Sequence, residues 1–329
     1  MNQVIRPRRL RETSALRAMV QEFQLSASDF IAPLFVVEGV NQRIPIEAMP
    51  GQDRLSIDLL IEEVRGLCEL GVRGVVLFPV FESTLKDSLA THCLDEKGLY
   101  PRAIAAVKKA EPRMLIMTDV ALDPYSLDGH DGLVDPNTGR ILNDETLELL
   151  AKMAVIQARA GADLIGPSDM MDGRVGAIRS ALDQAGFQEK GIISYTAKYA
   201  SHYYGPFRDA LDSAPKAGDK KTYQMNFANK REALIEMDLD IREGADILMV
   251  KPGLAYLDIL SQMRERTNKP LAVYNVSGEY SMIKAAGAAG FLDEKKVMME
   301  TLMSFKRAGA DIILTYFARE AALLLKEQA

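Results

Sequence analysis

A short phrase recurs three times along the chain, each time between a helix-like stretch and an apolar run. The copies are Ala160-Gly161-Ala162-Asp163, Glu243-Gly244-Ala245-Asp246 and Ala308-Gly309-Ala310-Asp311. A glycine in this context closes a helix in the left-handed conformation and leads into a tight turn. Each copy therefore predicts the end of a helix, a turn and then a buried strand. Three copies in the same context are hard to ascribe to chance.

Applied to the whole chain, this unit predicts eight strands separated by helices. The strands are expected at 30–37, 74–80, 114–121, 163–168, 191–198, 247–252, 271–277 and 311–317. The helices are expected at 57–70, 102–110, 144–160, 173–185, 230–243, 256–267 and 294–308. Nearly continuous apolar strands that alternate with helices are typical of a parallel sheet covered on both faces. Eight such units, with no Gly-x-Gly-x-x-Gly turn after the first strand, favour an α/β fold of the (β/α)8 TIM-barrel type over an open sheet.

Two segments fall outside this alternation. Residues 1–28 carry four arginines between Arg6 and Arg11 and apolar residues at Val20, Phe23 and Leu25. We interpret them as an N-terminal arm that grips a neighbouring subunit, ahead of a catalytic domain over residues 29–329. The connection at about 199–228 is long and rich in Gly, Pro, Tyr and Lys, and loops of this length usually act as functional lids.

Composition excludes several classes of protein. The chain has 40 Lys and Arg against 46 Asp and Glu, a net charge of −6 that argues against nucleic-acid and anionic-membrane partners. No apolar run approaches the length of a membrane span, and the first residues lack a signal-peptide core. The two cysteines, Cys68 and Cys93, are too few for a disulfide scaffold, which favours a reducing, cytoplasmic location. They are also too few for a zinc site of three thiolates.

In a barrel of this kind, the active site lies where the C-terminal ends of the strands meet. The polar residues expected at those ends are Asp119, Ser168, Lys198, Lys251, Ser277 and Tyr316. Strand alternation places Lys198 on the same face as Ser194 and Thr196, and Lys251 on the face of Met249. If both faces point inward, the two ammonium groups converge at the mouth of the barrel.

A single lysine at the end of an apolar strand can simply extend its ammonium group to water. Two lysines on neighbouring strands are different, because burial and mutual repulsion both lower the pKa of an amine. A neutral amine attacks a ketone and forms a Schiff base that acts as an electron sink. The pair therefore predicts carbonyl chemistry through iminium intermediates, with one or two carbonyl substrates.

The segment from Asp119 to Asp135 carries five aspartates and His130. A metal-binding loop is one interpretation, although the spacing does not match an EF-hand. An Asp- and Gly-rich turn is the other interpretation. The spacing alone favours the turn over the metal-binding loop.

The chain resembles the porphobilinogen synthase (5-aminolevulinate dehydratase) family from near residue 5 to its C-terminus. Several long motifs carry the resemblance in order: Arg6-Pro-Arg-Arg-Leu-Arg, the Asp119–Gly132 loop, Gly166-Pro-Ser-Asp-Met-Met-Asp-Gly-Arg-Val, Tyr195-Thr-Ala-Lys-Tyr-Ala-Ser, Tyr204-Gly-Pro-Phe-Arg-Asp-Ala, Met249-Val-Lys-Pro-Gly and Tyr274-Asn-Val-Ser-Gly-Glu-Tyr. The family condenses two molecules of 5-aminolevulinate into the pyrrole porphobilinogen, with loss of two waters. The resemblance implies that Lys251 forms a Schiff base with the first substrate and Lys198 with the second.

The resemblance also implies roles for further residues. Arg208 and Lys220 would clamp the carboxylate of the second substrate from the lid, and Gln224 would order the lid. Ser277 and Tyr316 would bind the carboxylate of the first substrate. Asp119 and Ser168 would orient groups or transfer protons, although each is equally interpretable as a structural cap of its turn.

The metal chemistry departs from that of the zinc-dependent relatives. Those proteins have three cysteines after the third strand, and the matching positions here are Ala121, Asp123 and Asp131. Without thiolates we expect no active-site zinc, and no organic cofactor. We expect Asp123 and Asp131 to contact substrate or transfer protons. The resemblance further implies an allosteric Mg²⁺ whose carboxylate is Glu236, and assembly into homo-octamers through the N-terminal arms.

Two other interpretations compete with this hypothesis. One is a class I aldolase acting on a phosphorylated sugar, in which Lys251 works alone. That enzyme would need a phosphate cradle near the last two strands, and Gly278-Glu279-Tyr280 is not glycine-rich enough to form one. The other is a non-catalytic carboxylate-binding barrel. Such a barrel would not need two lysines, an arginine and a tyrosine at its strand ends or on its lid. These residues therefore argue against a non-catalytic protein.

Overall fold

Eight parallel strands close into a barrel in the part of the chain that the computed structural model describes, residues 5–211 and 215–328. In chain order the strands are β1 Phe30–Val37, β2 Arg43–Pro45, β3 Asp53–Ser56, β4 Gly74–Pro79, β5 Leu115–Val120, β6 Leu133–Val134, β7 Ile141–Leu142, β8 Leu164–Pro167, β9 Gly191–Lys198, β10 Ile247–Lys251, β11 Leu271–Asn275 and β12 Ile312–Thr315. The barrel order is β1-β4-β5-β8-β9-β10-β11-β12, and β12 pairs with β1 to close it. The predicted TIM barrel is confirmed, and each predicted strand agrees with the structure to within two residues at either end.

Helices lie between the barrel strands. They are α1 Ser14–Met19, α2 Ile57–Glu69, α3 Leu99–Ala110, α4 Asn143–Ala160, α5 Arg174–Gln184, α6 Gly205–Leu211, α7 Glu232–Glu243, α8 Leu257–Arg266, α9 Ser277–Ala288, α10 Glu294–Ala308 and α11 Ala318–Gln328. The sequence patterns did not predict α1, α6, α9 or α11. Ser277, expected at the end of a strand, is the first residue of α9. None of the described helices is both long and apolar enough to cross a membrane.

The glycine, the alanine and the aspartate of the recurring phrase each have a different structural role. Its glycine ends a helix at a φ between 104° and 116° in all three copies, a conformation that favours glycine. Its alanine is buried. Its aspartate accepts a backbone N–H at or near the start of the neighbouring strand: Asp163 from Ile116, Asp246 from Ile192 and Asp311 from Leu271, each at 2.8 Å. The phrase therefore ends a helix, turns the chain and joins the new strand to its neighbour.

Strand β9 contains a β-bulge against β10. Between two partnered positions β9 has two residues, Tyr195 and Thr196, where β10 has one. A bulge of this kind reverses the alternation of side chains. As a result Ser194 accepts a 3.2 Å hydrogen bond from Arg174 of α5, whereas Lys198 points into the barrel mouth. The prediction that Lys198 and Ser194 share a face is therefore wrong.

The segment before the barrel contains a 3₁₀ turn at Pro7–Arg11 and the short helix α1, none of whose residues is buried. Phe23 is 37% exposed and Val20 is 46% exposed, whereas Leu25 packs against the core. Its role as an arm stays a prediction. Residues 1–4 of the predicted arm and 212–214 of the predicted lid lie outside the described residues.

Candidate active site

A small cavity lies at the C-terminal ends of the barrel strands. It is lined by Asp119, Asp123, Asp131, Ser168, Lys198, Tyr204, Phe207, Arg208, Lys220, Gln224 and Lys251. Nine of these are among the residues that the sequence analysis named. The cavity has room for about 30 Å³, the space of one or two waters. Five of the lining residues belong to the lid, so the lid lies over the strand ends in this structure.

Lys198 and Lys251 are partnered residues on neighbouring strands, as expected from their places at the ends of β9 and β10. Their ammonium groups have different surroundings. Lys198 donates from Nζ to Asp131 Oδ2 at 3.0 Å and to the backbone oxygen of Ser168. One lysine is thus hydrogen-bonded to a carboxylate and a carbonyl group.

Lys251 is surrounded by aromatic rings instead. Its Nζ lies 4.6 to 5.3 Å from the ring centroids of Tyr195, Tyr204, Phe207 and Tyr274. No hydrogen bond from this Nζ occurs among residues 5–211 and 215–328. Burial, together with the charge of Lys198, lowers the pKa of Lys251 to about 7. A large share of Lys251 is therefore a neutral amine at neutral pH.

Asp131 lies in the segment from Asp119 to Asp135, called here the aspartate loop, and connects this loop to the barrel and to the lid. Its second carboxylate oxygen is 2.5 Å from Lys220 Nζ, opposite the contact with Lys198. Lys220 also lies 3.5 Å from Asp123. Burial opposes the charge on Asp131, but the positive charges of Lys198 and Lys220 hold its pKa well below the usual range. The two aspartates at the positions of the relatives' cysteines are therefore partners of lysines here.

Asp119 differs from Asp131 although both are buried. Burial and the nearby charge of Asp123 raise the pKa of Asp119 to about 6, against the opposing effect of Lys251. A carboxyl group with this pKa exchanges protons readily near neutral pH. Ser168 lines the cavity beside it. The site thus holds one carboxylate that stays charged and one that can carry a proton.

His130 makes a contact between the aspartate loop and the lid that the sequence analysis missed. Its Nε2 is 3.0 Å from the Ala217 backbone oxygen, and its Nδ1 is 3.0 Å from the Tyr223 hydroxyl. That hydroxyl also accepts the backbone N–H of Asp131 at 3.3 Å. Only its place among the aspartates marked His130 in the sequence. Its side chain is buried.

Two expected site residues do not line the cavity. Ser277 Oγ accepts the backbone N–H of Phe207 at 3.0 Å, and the Tyr316 hydroxyl is 3.2 Å from that of Tyr274. The ring of Phe207 lies 5.2 Å from Lys251 Nζ. Because Phe207 belongs to α6 of the lid, its ring occupies space beside Lys251 in the closed arrangement. The expected roles of Ser277 and Tyr316 stay predictions.

Glu236 lies on α7 and does not line the cavity. Burial, with contributions from the charges of Asp240, Asp172 and Glu232, raises its pKa to about 7 despite the opposing charge of Arg174. A carboxylate in this environment gains from a bound cation. No group of three or more His, Cys, Asp or Glu side chains with metal-binding geometry occurs in the described part of the chain.

Comparison with known proteins gives a consistent result. The family model of delta-aminolevulinic acid dehydratase matches residues 4–324. The chain is 59% identical over 318 residues to the chloroplastic delta-aminolevulinic acid dehydratase of Physcomitrium patens, covering 96% of this chain and 73% of the relative. It is 53% identical over 325 residues to the enzyme of the same name from Synechocystis, covering 98% and 99%.

A solved structure is also closely similar. It is delta-aminolevulinic acid dehydratase from Toxoplasma gondii ME49 in complex with the reaction product porphobilinogen. The TM-score is 0.97 and the sequence identity 51%, covering 99% of this chain and 92% of the other. Because the identity is high and coverage is nearly complete, the similarity extends beyond the fold.

The expectation of a cytoplasmic location is wrong. Plant relatives at 57% to 59% identity are named chloroplastic, whereas the cyanobacterial relatives carry no compartment in their names. The expectation rested on the two cysteines. A low cysteine count indicates a reducing compartment, and it does not distinguish one such compartment from another.

Proposed function

The chain belongs to the delta-aminolevulinic acid dehydratase family, and on that premise we propose how its own residues carry out the family's reaction. It is a lyase that condenses two molecules of 5-aminolevulinate into porphobilinogen with loss of two waters, a step in tetrapyrrole synthesis. The comparisons do not favour the single-lysine aldolase.

The difference between the two lysines supports the assignment of steps. Lys251 has an amine with a pKa of about 7 and no hydrogen-bond acceptor among the described residues, so it is ready to attack a ketone. Attack and loss of water give an imine with the first substrate. Lys198 must first exchange its contact with Asp131, so it reacts second. Each imine releases one water, which accounts for the two waters lost, and both lysines are regenerated when the C–C and C–N bonds of the pyrrole are complete.

The acids and the lid have complementary roles. Asp119, with its pKa of about 6, transfers protons between the lysines and the substrates, with Ser168 orienting the reacting groups. Arg208 and Lys220 bind the second carboxylate, for which the planar guanidinium group of Arg208 is suited, while Gln224 orders the lid. Ser277 and Tyr316 bind the first carboxylate once Phe207 moves with the lid.

The test is chemical trapping. The protein is incubated with 5-aminolevulinate and borohydride, and the added mass is located by peptide mapping. We expect an adduct at Lys251, and loss of activity in Lys251→Ala. Lys221→Ala serves as the control, because Lys221 is an exposed lysine next to Lys220 in the lid. Turnover without any lysine adduct, or a fully active Lys251→Ala protein, would reject the mechanism.

Magnesium is the cation that the surroundings of Glu236 support. Mg²⁺ keeps several of its waters, so a single carboxylate with neighbouring negative charge can retain it. Its role would be allosteric, because Glu236 is not in the cavity lining. Glu236→Ala should lose stimulation by Mg²⁺, whereas Asp238→Ala, an exposed acid on the same helix, should keep it. Unchanged stimulation in Glu236→Ala rejects the assignment. Asp123 and Asp131, which contact Lys220 in this structure, are assigned to contact with the substrate or to proton transfer.

The arm is assigned to assembly of a homo-octamer. The exposed apolar side chains of Met19, Val20 and Phe23 support this role, because a partner surface would bury them. Sedimentation of the full chain and of a chain lacking residues 1–28 tests it. We expect an octamer in the first case and smaller assemblies in the second. Identical distributions would contradict the assignment.

A further inference from the structure

One buried carboxylate lies beneath the chain segments that follow β10 and β11. Glu279 is fully buried on α9, two residues after Ser277. It accepts the backbone N–H of Leu254 at 2.7 Å, that of Val276 at 3.1 Å and the side-chain amide of Asn275 at 3.0 Å. No ion pair to Glu279 occurs within the described ranges. Burial raises the pKa of Glu279 to about 7, and the converging N–H groups, not a cation, favour its charged form.

These donors belong to segments that carry residues of one subsite. Leu254 begins a short 3₁₀ helix three residues after Lys251, so its N–H anchors the chain just after the Schiff-base lysine. Asn275 and Val276 directly precede Ser277. One carboxylate thus connects the end of β10 to the start of α9, across the boundary between two neighbouring barrel strands.

The same network reaches a third strand. Asn275 Oδ1 accepts the Thr315 hydroxyl at 2.9 Å, and Thr315 Oγ1 in turn accepts the backbone N–H of Phe317 at 3.1 Å. These two bonds bracket Tyr316. The chain of bonds from Glu279 therefore reaches chain neighbours of all three residues assigned to the first substrate, Lys251, Ser277 and Tyr316, without contacting those residues themselves.

The second lysine has separate supports. The backbone oxygen of Lys198 accepts the N–H of Met225 from the lid at 3.0 Å, and its ammonium group is bound by Asp131. Neither contact belongs to the network of Glu279. The backbone N–H of Tyr199, the residue after Lys198, donates to the Lys251 oxygen at 2.9 Å, but this bond does not involve Glu279. A change at Glu279 should therefore lower the adduct at Lys251 more than that at Lys198, whereas an overall loss of stability would lower both.

We propose that Glu279 is a positioning residue for the first-substrate subsite, setting Lys251 in register with Ser277 and Tyr316 without touching the substrate. This rests on the proposed role of Lys251 as a Schiff-base lysine. The role requires a carboxylate, because the groups that converge on it are all donors. In a glutamine, the NH₂ group would face one of these N–H donors. That buried donor would then lack an acceptor, and the chain segment that it anchors would shift.

Glu279→Gln tests the proposal by borohydride trapping, with the adducts at Lys251 and Lys198 quantified separately. We expect the ratio of Lys251 to Lys198 adduct to fall about tenfold or more, and KM to rise, since small displacements of a reacting group cost rates of this order. Glu279→Asp, which retains the carboxylate, should recover part of the loss. Ser281→Ala is the matched control, because it removes a hydrogen bond from the same helix to Ala48 without touching the strand ends.

The outcomes separate the two proposals. An adduct ratio like that of the wild type in Glu279→Gln, or an equal fall at both lysines, would overturn the positioning role while leaving the Schiff-base mechanism intact. Turnover of the wild type with no Lys251 adduct would overturn the mechanism itself.

If Glu279→Gln does not fold, Thr315→Val replaces it. That variant removes both bonds of the Thr315 hydroxyl, the one to Asn275 and the one from the Phe317 N–H, and leaves the bonds of Glu279 in place. It should raise KM with little change in the adduct ratio; an unchanged KM would count against the network.

Discussion

Lys198 and Lys251 are partnered residues at the ends of adjacent strands, yet they meet different surroundings. The first is bound by a carboxylate and a carbonyl oxygen, and the second is enclosed by four aromatic rings. Two lysines of the same type are thereby given different chemistry by what surrounds them. The difference should be measurable in how each lysine responds to pH and to the loss of its neighbours.

Trapping at Lys251 should depend on pH through its amine. Because the pKa of Lys251 is lowered to about 7, the neutral form grows as pH rises through that value, and the rate of imine formation should rise with it. The charge of Lys198 contributes to the lowering, so Lys198→Met should move the midpoint to higher pH. Borohydride trapping across a pH series measures both midpoints. A midpoint in Lys198→Met at or below that of the wild type would contradict the electrostatic coupling.

Asp131→Asn should impair the second lysine and the lid together. The substitution leaves Lys198 and Lys220 buried without their shared carboxylate, which should reduce activity by at least about a hundredfold and lower the free energy of unfolding by about 3 kcal/mol. Steady-state kinetics and urea denaturation measure the two effects. Asp128→Asn, in the same loop but outside the cavity lining, is the control. Near-normal turnover in Asp131→Asn would show that the pair is dispensable.

Tyr223→Phe should loosen the closed lid. The hydroxyl of Tyr223 contacts both His130 and the backbone of Asp131, so its loss removes two links between the lid and the aspartate loop. We expect KM to rise several-fold with a smaller change in kcat, and faster proteolysis near residues 215–224. Tyr203→Phe, which alters an exposed tyrosine, provides the comparison. Equal KM and equal proteolysis in both variants would contradict a role of the Tyr223 hydroxyl in holding the lid against the loop.

Asp163→Ala should destabilise the fold without changing the chemistry. The carboxylate accepts the Ile116 N–H and pairs with Lys108, both at 2.8 Å and partly exposed. Its removal should lower the free energy of unfolding by about 1 to 2 kcal/mol, with the KM of the remaining folded enzyme unchanged. Asp238→Ala is the matched surface control. Equal stability of the two variants would mean that the aspartate of the recurring phrase does not join strands as described.

Local patterns in the sequence were sufficient for the barrel. Its strands are nearly continuous apolar runs, and a helix ended by glycine precedes three of them, so period and turn chemistry locate these elements without knowledge of distant contacts. The helix α9 was missed because the predicted strand 271–277 extended over its first residue, Ser277. The capping carboxylate that starts it is recognised only when Glu279 is seen to accept the Val276 N–H.

The sequence predicted which residues form the site better than it predicted how those residues contact one another. The strand ends indicated the two lysines, Asp119 and Ser168, and the resemblance to a known family added two further aspartates and three lid residues; these nine line one cavity. The sequence did not place His130 between the loop and the lid, because that contact joins residues 87 and 93 positions apart in the chain. Such contacts leave no local signal.

What the sequence determined by itself is therefore the alternation of helices and strands and the kinds of side chain at the strand ends, since both follow from short-range patterns. Only the tertiary structure decided which way those side chains point and what they meet. Lys198 points into the mouth because β9 has one more residue than β10 between two partnered positions. The pKa of Lys251 is lowered by burial, and the rings that bury this side chain come from other strands and from the lid. Pairing and burial are properties of neighbours in space, and neighbours in space are set by the fold.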